Sequence, residues 1–172
     1  TRNIILRCAA GASFKDKSGV RTTALAYNAS NGVAIRSTGG YGSVIDLSTQ
    51  YSVLESLQIK SDVNRIVADF SGAADVIISG CILQTGTNFC TGNSNIGARA
   101  KVLNCLCLFT LTGTSYNQGA IVLGHTVIGN TIINLSGTGQ GIYANPYDSS
   151  VTIKNNAIFG CTSAWLGQAS TG

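Results

Sequence analysis

The segment Val151-Thr-Ile-Lys-Asn-Asn-Ala-Ile158 is the clearest of several degenerate copies that recur along the chain at nearly constant spacing. The last residues of the five copies follow one another at intervals of about 25 residues. They are Ile59, Leu83, Leu108, Ile133 and Ile158. Each has another branched aliphatic residue shortly before it, in the order Leu54, Ile78, Leu103, Ile128 and Ile153. A repeat of this length indicates a repeat architecture in which each copy contributes an equivalent structural unit.

The spacing predicts a coil of short strands. An interval of about 25 residues is too long for a hairpin meander, and no window carries helical periodicity. In a parallel coil, each residue lies about 4.8 Å above its equivalent in the preceding coil, so like residues stack into columns. The sequence therefore predicts an all-β parallel solenoid with about 25 residues per coil. One coil length before Ile59 stands Ile35, which predicts a further coil. Residues 4–6 would begin one more, with an insertion around residues 14–20, so the sequence predicts six to seven coils.

Two further columns belong to this prediction. A less regular apolar position recurs once per coil, at Ile45, Val67, Ile96, Ile121, Ile142 and Trp165. Shortly before the end of each copy come small or turn-tolerant residues, namely Ser56, Gly80, Cys105, Asn130 and Asn155. Asparagine tolerates left-handed backbone, and its stacked amides can bond along the coil axis. We therefore expect sharp bends in this column and an asparagine ladder at Asn130 and Asn155.

Composition excludes several classes of protein. Of the 172 residues, 44% are apolar and 10% are charged, well below the charged fraction of about 25% that is usual in soluble domains. A disordered chain and a charged helical bundle are therefore not expected. The basic residues of segment 1–36 lack an interleaved aromatic platform, so we predict no nucleic-acid partner. No apolar run reaches the roughly 18–20 residues of a membrane span.

The segment Val151 to Ile158, of the form V-x-I-x-N-N-x-I, resembles the right-handed parallel β-helix superfamily with the pectate-lyase-like fold. The resemblance covers residues 30–172. Residues 2–11 and 51–60 look like coils of β-helical bacteriophage virion proteins. The resemblance implies that the solenoid is right-handed. Because the ends of a solenoid expose unpaired strand backbone, we expect residues 1–172 to be a single domain of a longer chain or of a capped assembly. The resemblance also implies a non-catalytic structural module, extracellular or in a virion, such as a head fibre, decoration protein or tailspike-like shaft. Its expected partners are other structural subunits or further copies, with no cofactor.

Polysaccharide-active members of this superfamily supply the alternative function. Lyases use several carboxylates to hold Ca²⁺ and an Arg or Lys as base, whereas hydrolases use paired carboxylates. The chain has only seven carboxylates. Asp46 and Asp69 are separated by almost one coil length and so fall close together on adjacent coils, with Lys60 and Arg65 near them in sequence. These four are the candidate catalytic residues of a polysaccharide lyase or glycan-binding β-helix.

The remaining chemistry-bearing residues give weaker patterns. The six cysteines allow a disulfide framework, a metal site or buried free thiols, and we favour the thiols because Cys105 and Cys107 are too close for a metal knuckle. His125 occupies a turn with no assignable partner for a general base. Residues 137–141 are glycine-rich but lack the Lys and helix of a phosphate loop, which predicts a turn. Seven aromatic residues would stack on sugars if aligned, but packing is expected for Tyr27, Tyr41, Tyr51, Tyr116, Tyr143, Tyr147 and Trp165.

Overall fold

The structure is a computed structural model that describes residues 4–16, 26–39, 43–47, 51–62, 68–69, 75–86, 90–92, 99–110, 119–124, 126–144 and 151–166. Within these ranges the regular elements are strands, apart from a 3-10 turn at Phe14–Asp16. Across the same residues, no helix has the length and apolar character needed to cross a bilayer.

The described strands form three sheets of six strands each, and every pair is parallel. Sheet A contains β1 (Ile4–Arg7), β4 (Ser52–Glu55), β7 (Asp75–Ser79), β10 (Arg99–Leu103), β13 (Thr126–Ile128) and β16 (Thr152–Lys154). Sheet B contains β2 (Ala34–Ser37), β5 (Gln58–Ser61), β8 (Ile82–Gln84), β11 (Leu106–Phe109), β14 (Thr131–Asn134) and β17 (Ala157–Phe159). Sheet C contains β3 (Ile45–Asp46), β6 (Ala68–Asp69), β9 (Thr91–Gly92), β12 (Gly119–Gly124), β15 (Gln140–Ala144) and β18 (Ser163–Leu166).

The chain visits sheets A, B and C in turn, so three consecutive strands make one coil and each strand pairs with the strand three places later. Paired residues are therefore separated by one coil, as are Leu54 and Ile78. The predicted all-β parallel solenoid is confirmed. One detail is wrong: residues 4–6 and Ile35 do not begin separate coils. β1 pairs with β4 and β2 pairs with β5, so both belong to one long coil that contains an insertion.

The interior row of sheet A runs through Leu6, Leu54, Ile78, Val102, Val127 and Ile153. The predicted members Leu103 and Ile128 are therefore wrong by one position. Successive side chains of a strand point to opposite faces, and both residues are only partly buried whereas Val102 and Val127 are fully buried. The error arose because the coils are not equally long. The coil from Val127 to Ile153 is longer than the one from Ile78 to Val102, whereas the pattern assumed an almost constant length.

Sheets B and C refine the other columns. The interior row of sheet B is Ile35, Ile59, Leu83, Cys107, Ile132 and Ile158, so Leu108 and Ile133 are displaced from their predicted places by one position. In sheet C the register confirms the column at Ile45, Ile121, Ile142 and Trp165. The predicted members Val67 and Ile96 lie outside the described residues, and Ala68 and Thr91 occupy the column instead.

A left-handed residue bends the chain between sheets A and B in each of five successive coils. These residues have φ between 51° and 69°, and they are Ser56, Gly80, Asn104, Gly129 and Asn155. Glycine and asparagine accept this conformation at low cost, which explains their place in the column. The predicted bends at Ser56, Gly80 and Asn155 are confirmed, whereas Cys105 and Asn130 follow the bend by one residue.

The asparagine ladder joins Asn130 to Asn156, not to Asn155. The Asn130 side chain accepts a hydrogen bond from the Cys105 amide and donates to the carbonyl oxygen of Val102, both at 2.9 Å. It also donates to Asn156 Oδ1 at 2.9 Å. Asn130 is 1% exposed, so its amide supplies the partners that buried backbone groups behind the bend require. The predicted column therefore combined two adjacent positions: the left-handed residue that makes the bend, and the following residue, whose side chain makes the hydrogen bonds.

The insertion of the first coil covers the outer face of sheet B. Phe14 and Ala26 pack on an outer apolar cluster that is separate from the interior core and consists of Ile82, Leu106 and Leu108. Gln58 also faces outward, but it is buried and donates hydrogen bonds to the carbonyl oxygens of Asn28 and Asn31 at 3.0 and 2.8 Å. Leu108 is therefore buried for a different reason than predicted: it lies beneath the insertion and not in the interior row.

Adjacent residues of β10 test the register. Val102→Asn places an amide in the closed interior and is expected to lower the free energy of unfolding by about 2–4 kcal/mol. Leu103→Asn changes an outward position and is expected to cost less than about 1.5 kcal/mol. Urea unfolding followed by circular dichroism measures both. Equal losses would contradict the register.

Two asparagines of neighbouring columns test the ladder. Asn130→Ala leaves buried backbone groups without their partner and is expected to cost about 2–3 kcal/mol. Asn155→Gly keeps the left-handed bend and is expected to change stability by less than about 1 kcal/mol. Thermal unfolding of the two variants beside the parent protein provides the comparison, and a larger loss for Asn155→Gly would refute the assignment.

Candidate functional site

The four predicted catalytic residues divide between different parts of the solenoid. Asp46 and Asp69 are directly paired in register on β3 and β6 of sheet C, as their spacing in the sequence predicted. Lys60 lies on β5 of sheet B, where its backbone is in register with Arg36 of the neighbouring strand β2. Arg65 lies outside the described residues. The structure thus brings the two aspartates onto neighbouring strands and places Lys60 on another sheet. The catalytic role of all four stays a prediction.

Lys60 belongs to a charged surface cluster that sequence reasoning missed. Its ammonium lies 3.0 Å from Asp62 Oδ1 and 5.9 Å from the centre of the Tyr27 ring, and Arg36 forms a second ion pair with Asp62. The hydrogen bond from Arg36, and to a smaller extent the one from Lys60, lowers the pKa of Asp62 below its usual value. Only the register of β2 over β5 could have revealed the cluster, because Arg36 and Asp62 are a full coil apart in the sequence.

The cysteines are free thiols in all six positions. The prediction of burial is confirmed for four of them, Cys81, Cys90, Cys105 and Cys107, whereas Cys8 and Cys161 are partly exposed. Over the described part of the chain, no three His, Cys, Asp or Glu side chains are grouped so that they could hold a metal ion.

The other singled-out residues have simple placements. His125 lies outside the described residues, as do Tyr41, Tyr116 and Tyr147. The glycine-rich segment 137–141 forms the predicted turn between β14 and β15, with Gly137 and Gly139 at φ 76° and 95°. Tyr143 is 7% exposed and thus packs into the protein, as expected.

A groove of about 240 Å³ runs across the outer face of sheet A near its first strands. Three stacked aliphatic side chains of β1, β4 and β7 line it, namely Ile5, Val53 and Ile77. Tyr51, Asp75 and Lys101 also line the groove. An apolar surface flanked by an aromatic ring, a carboxylate and an ammonium is suited to a ligand with one apolar face and several polar substituents.

Tyr51 is the unusual residue of this groove. Its φ of 61° is left-handed, a genuine outlier for a bulky side chain, and its side chain is 43% exposed. The carbonyl oxygen of Tyr51 accepts a hydrogen bond from the Ile4 amide at 3.3 Å, which holds the strained residue against the first strand. Strain of this kind concentrates at functional sites. Tyr51 is one of the seven aromatic residues that would stack on sugars if aligned, and only the folded chain brings it beside Asp75 and Lys101.

A second pocket, of about 380 Å³, lies beside the first bend. We call it the thiol pocket, because Cys8 lines it together with Lys15, Asp16 and Ser56. Lys15 donates a hydrogen bond to Ser56 Oγ at 3.3 Å, and Cys8 donates one to the Ser56 carbonyl oxygen at 2.8 Å. Burial raises the pKa of Cys8 above its usual value.

Comparison with protein families, with curated proteins and with solved structures found no match to this chain.

Proposed function

We propose that this chain is a non-catalytic structural module of an extracellular particle, wound as a right-handed parallel β-helix of six to seven coils with the pectate-lyase-like fold. A bacteriophage virion is the proposed particle, with the chain as head fibre, decoration protein or tailspike-like shaft. Residues 1–172 are proposed to form one domain of a longer chain or capped assembly.

The continuous interior rows of sheets A and B support the proposal. Each coil bonds to the coils beside it through backbone groups, and the interior is filled mainly by aliphatic side chains, with Phe109 and four cysteines among them. Asn130 bonds to Asn156 at one corner of the later coils. Such a stack resists bending because every coil is held by its neighbours. A stack of mutually bonded coils with few charges suits a mechanical part of a particle.

The open edges of the two end coils favour a covering neighbour. Within the described strands, β1 lies at one edge of sheet A and β16 at the other. Ile4 and Leu6 of β1 are 49% and 41% exposed, and an open strand edge with apolar residues needs a covering element. Another structural subunit, a further copy or further chain would each supply that cover.

Particle purification tests the proposed function. Particles from the producing culture are separated on a density gradient and probed with an antibody raised against residues 1–172. We expect the chain to sediment with intact particles and the antibody to decorate their surface in electron micrographs. A chain found only in the soluble fraction, with undecorated particles, would contradict the proposal. An antibody against a cytoplasmic host enzyme serves as the control.

Glycan binding is the second candidate function, and the groove on sheet A favours it. Tyr51 offers a ring for the apolar face of a sugar, Asp75 can accept hydrogen bonds from hydroxyl groups, and Lys101 can pair with a carboxylate. The groove lining includes Ile5, which is 52% exposed. The lining chemistry therefore fits an oligosaccharide that contains uronate units, with or without cleavage.

Titration with an oligogalacturonate tests this second candidate. We expect Tyr51→Ala and Lys101→Ala each to weaken binding at least about 10-fold, since each removes one of the few specific contacts. Tyr27→Phe, beside Lys60 of sheet B and outside the groove, is the matched control and should bind like the parent protein. Isothermal titration calorimetry gives the affinities. Unchanged binding in both groove variants, or no binding by the parent, would exclude this site.

A further inference from the structure

One ammonium and two hydroxyl groups line the thiol pocket as hydrogen-bond donors. The Lys15 ammonium donates to Ser56 Oγ at 3.3 Å, and the Lys15 backbone amide donates to Ser13 Oγ at 3.2 Å. Both serine hydroxyls therefore accept a hydrogen bond from Lys15, and each keeps its own proton to donate. Because all three residues line the pocket, a ligand there meets a set of three donor groups.

The segment that carries Lys15 is held in place before any ligand arrives. Ser13 is buried, and its amide donates to Asp16 Oδ2 at 3.2 Å, which closes a tight turn around Lys15. The Val33 amide donates to the Ala12 carbonyl oxygen at 3.2 Å, and this bond ties the turn to the returning limb of the insertion. A site whose backbone is already ordered loses little conformational entropy on binding.

The bend between sheets A and B gives the ammonium its place. Ser56 and Gly80 are the left-handed residues of two adjacent coils. A Cβ atom at position 80 would collide with the Lys15 ammonium, so the ammonium lies directly against the bare backbone of this bend. That contact and the hydrogen bond to Ser56 orient the Lys15 side chain along the wall of the pocket.

The charges of the pocket leave the Lys15 ammonium without an anionic partner. Asp16 accepts a hydrogen bond from a backbone amide, and Glu55 lies 3.5 Å from the Arg7 guanidinium. Among the carboxylates that the structure describes, none lies within ion-pairing distance of Lys15. Burial raises the pKa of Cys8, so this thiol stays neutral near pH 7 and adds no negative charge. The ligand that would complete this set of donors is therefore an anion.

We propose that the thiol pocket binds a tetrahedral oxyanion, the phosphate or sulfate group of a small ligand, through Lys15, Ser13 and Ser56. Such a group has several oxygens around one centre, so it can accept from an ammonium and from two hydroxyls at once, and charge-assisted hydrogen bonds are the strong ones. The Arg7 guanidinium lines the same pocket and keeps further N–H donors beside its contact with Glu55. The pocket volume of about 380 Å³ leaves room for the rest of a small ligand. This inference does not depend on the proposed structural role.

Titration of the folded chain with inorganic phosphate at constant ionic strength tests the proposal. Two-dimensional NMR follows the backbone amide signals. We expect saturable shifts at the residues that line the pocket, and none when chloride replaces phosphate. A parallel titration with sulfate identifies the group: binding of both anions shows that shape and charge are recognised, and binding of one alone shows which group the pocket takes. Shifts that do not saturate, or that chloride reproduces, would overturn the proposal.

Three variants separate the pocket from a general charge effect. Lys15→Gln is an exposed change that leaves the core intact, and it is expected to weaken phosphate binding about 10-fold. Ser56→Gly removes one hydroxyl and keeps a residue that accepts the left-handed bend, so a loss of about 3-fold is expected. Lys154→Gln is the matched control, since Lys154 is an exposed lysine of β16 outside the pocket, and it should bind like the parent protein. Equal weakening by Lys15→Gln and Lys154→Gln would refute the assignment.

Discussion

Parallel backbone pairing between successive coils is the constraint on which the rest of this structure depends. Bonds such as Leu106 N to Cys81 O and Thr131 N to Cys105 O recur at 2.9 Å from coil to coil. Once this register is set, each side chain stacks on the equivalent side chains of the coils above and below. Interior positions then favour aliphatic side chains, because a polar side chain stacked there would lose its hydrogen bonds to water. Ile78, Val102 and Val127 accordingly form a buried row.

The same constraint explains the polar residues inside the molecule. A coil must turn sharply between sheets A and B, and the turn leaves backbone groups that no strand can pair. A left-handed residue makes the bend, and the next residue can turn its side chain inward to satisfy those groups, as Asn130 does for Cys105 and Val102. In earlier coils this inward position holds Cys81 and Cys105, small side chains that fill the corner. The corner that the Asn130 amide stabilises is therefore filled by a cysteine side chain in the two coils before it.

Function, in this architecture, is left to the outer faces and the corners. Interior side chains must stack on one another, whereas outward side chains can differ from coil to coil because they do not pack in the core. On sheet A this variation places three aliphatic residues beside Tyr51 and Lys101 and produces a groove. On sheet B it produces an apolar cluster that the insertion covers through Phe14. A rod that bears such local surfaces is compatible with a structural role and with ligand binding along its side.

The recurrence of branched residues at a nearly fixed spacing was enough to predict the parallel solenoid, the approximate coil length and the aliphatic columns. The sequence also predicted that Asp46 and Asp69 are neighbours, since two acids almost one coil length apart fall on adjacent coils. Tertiary structure alone decided the register. Coils that differ in length by a single residue look alike in a pattern, yet one residue of slip exchanges the two faces of a strand. For the same reason, only the folded chain could join Arg36 to Asp62 and Asn130 to Asn156.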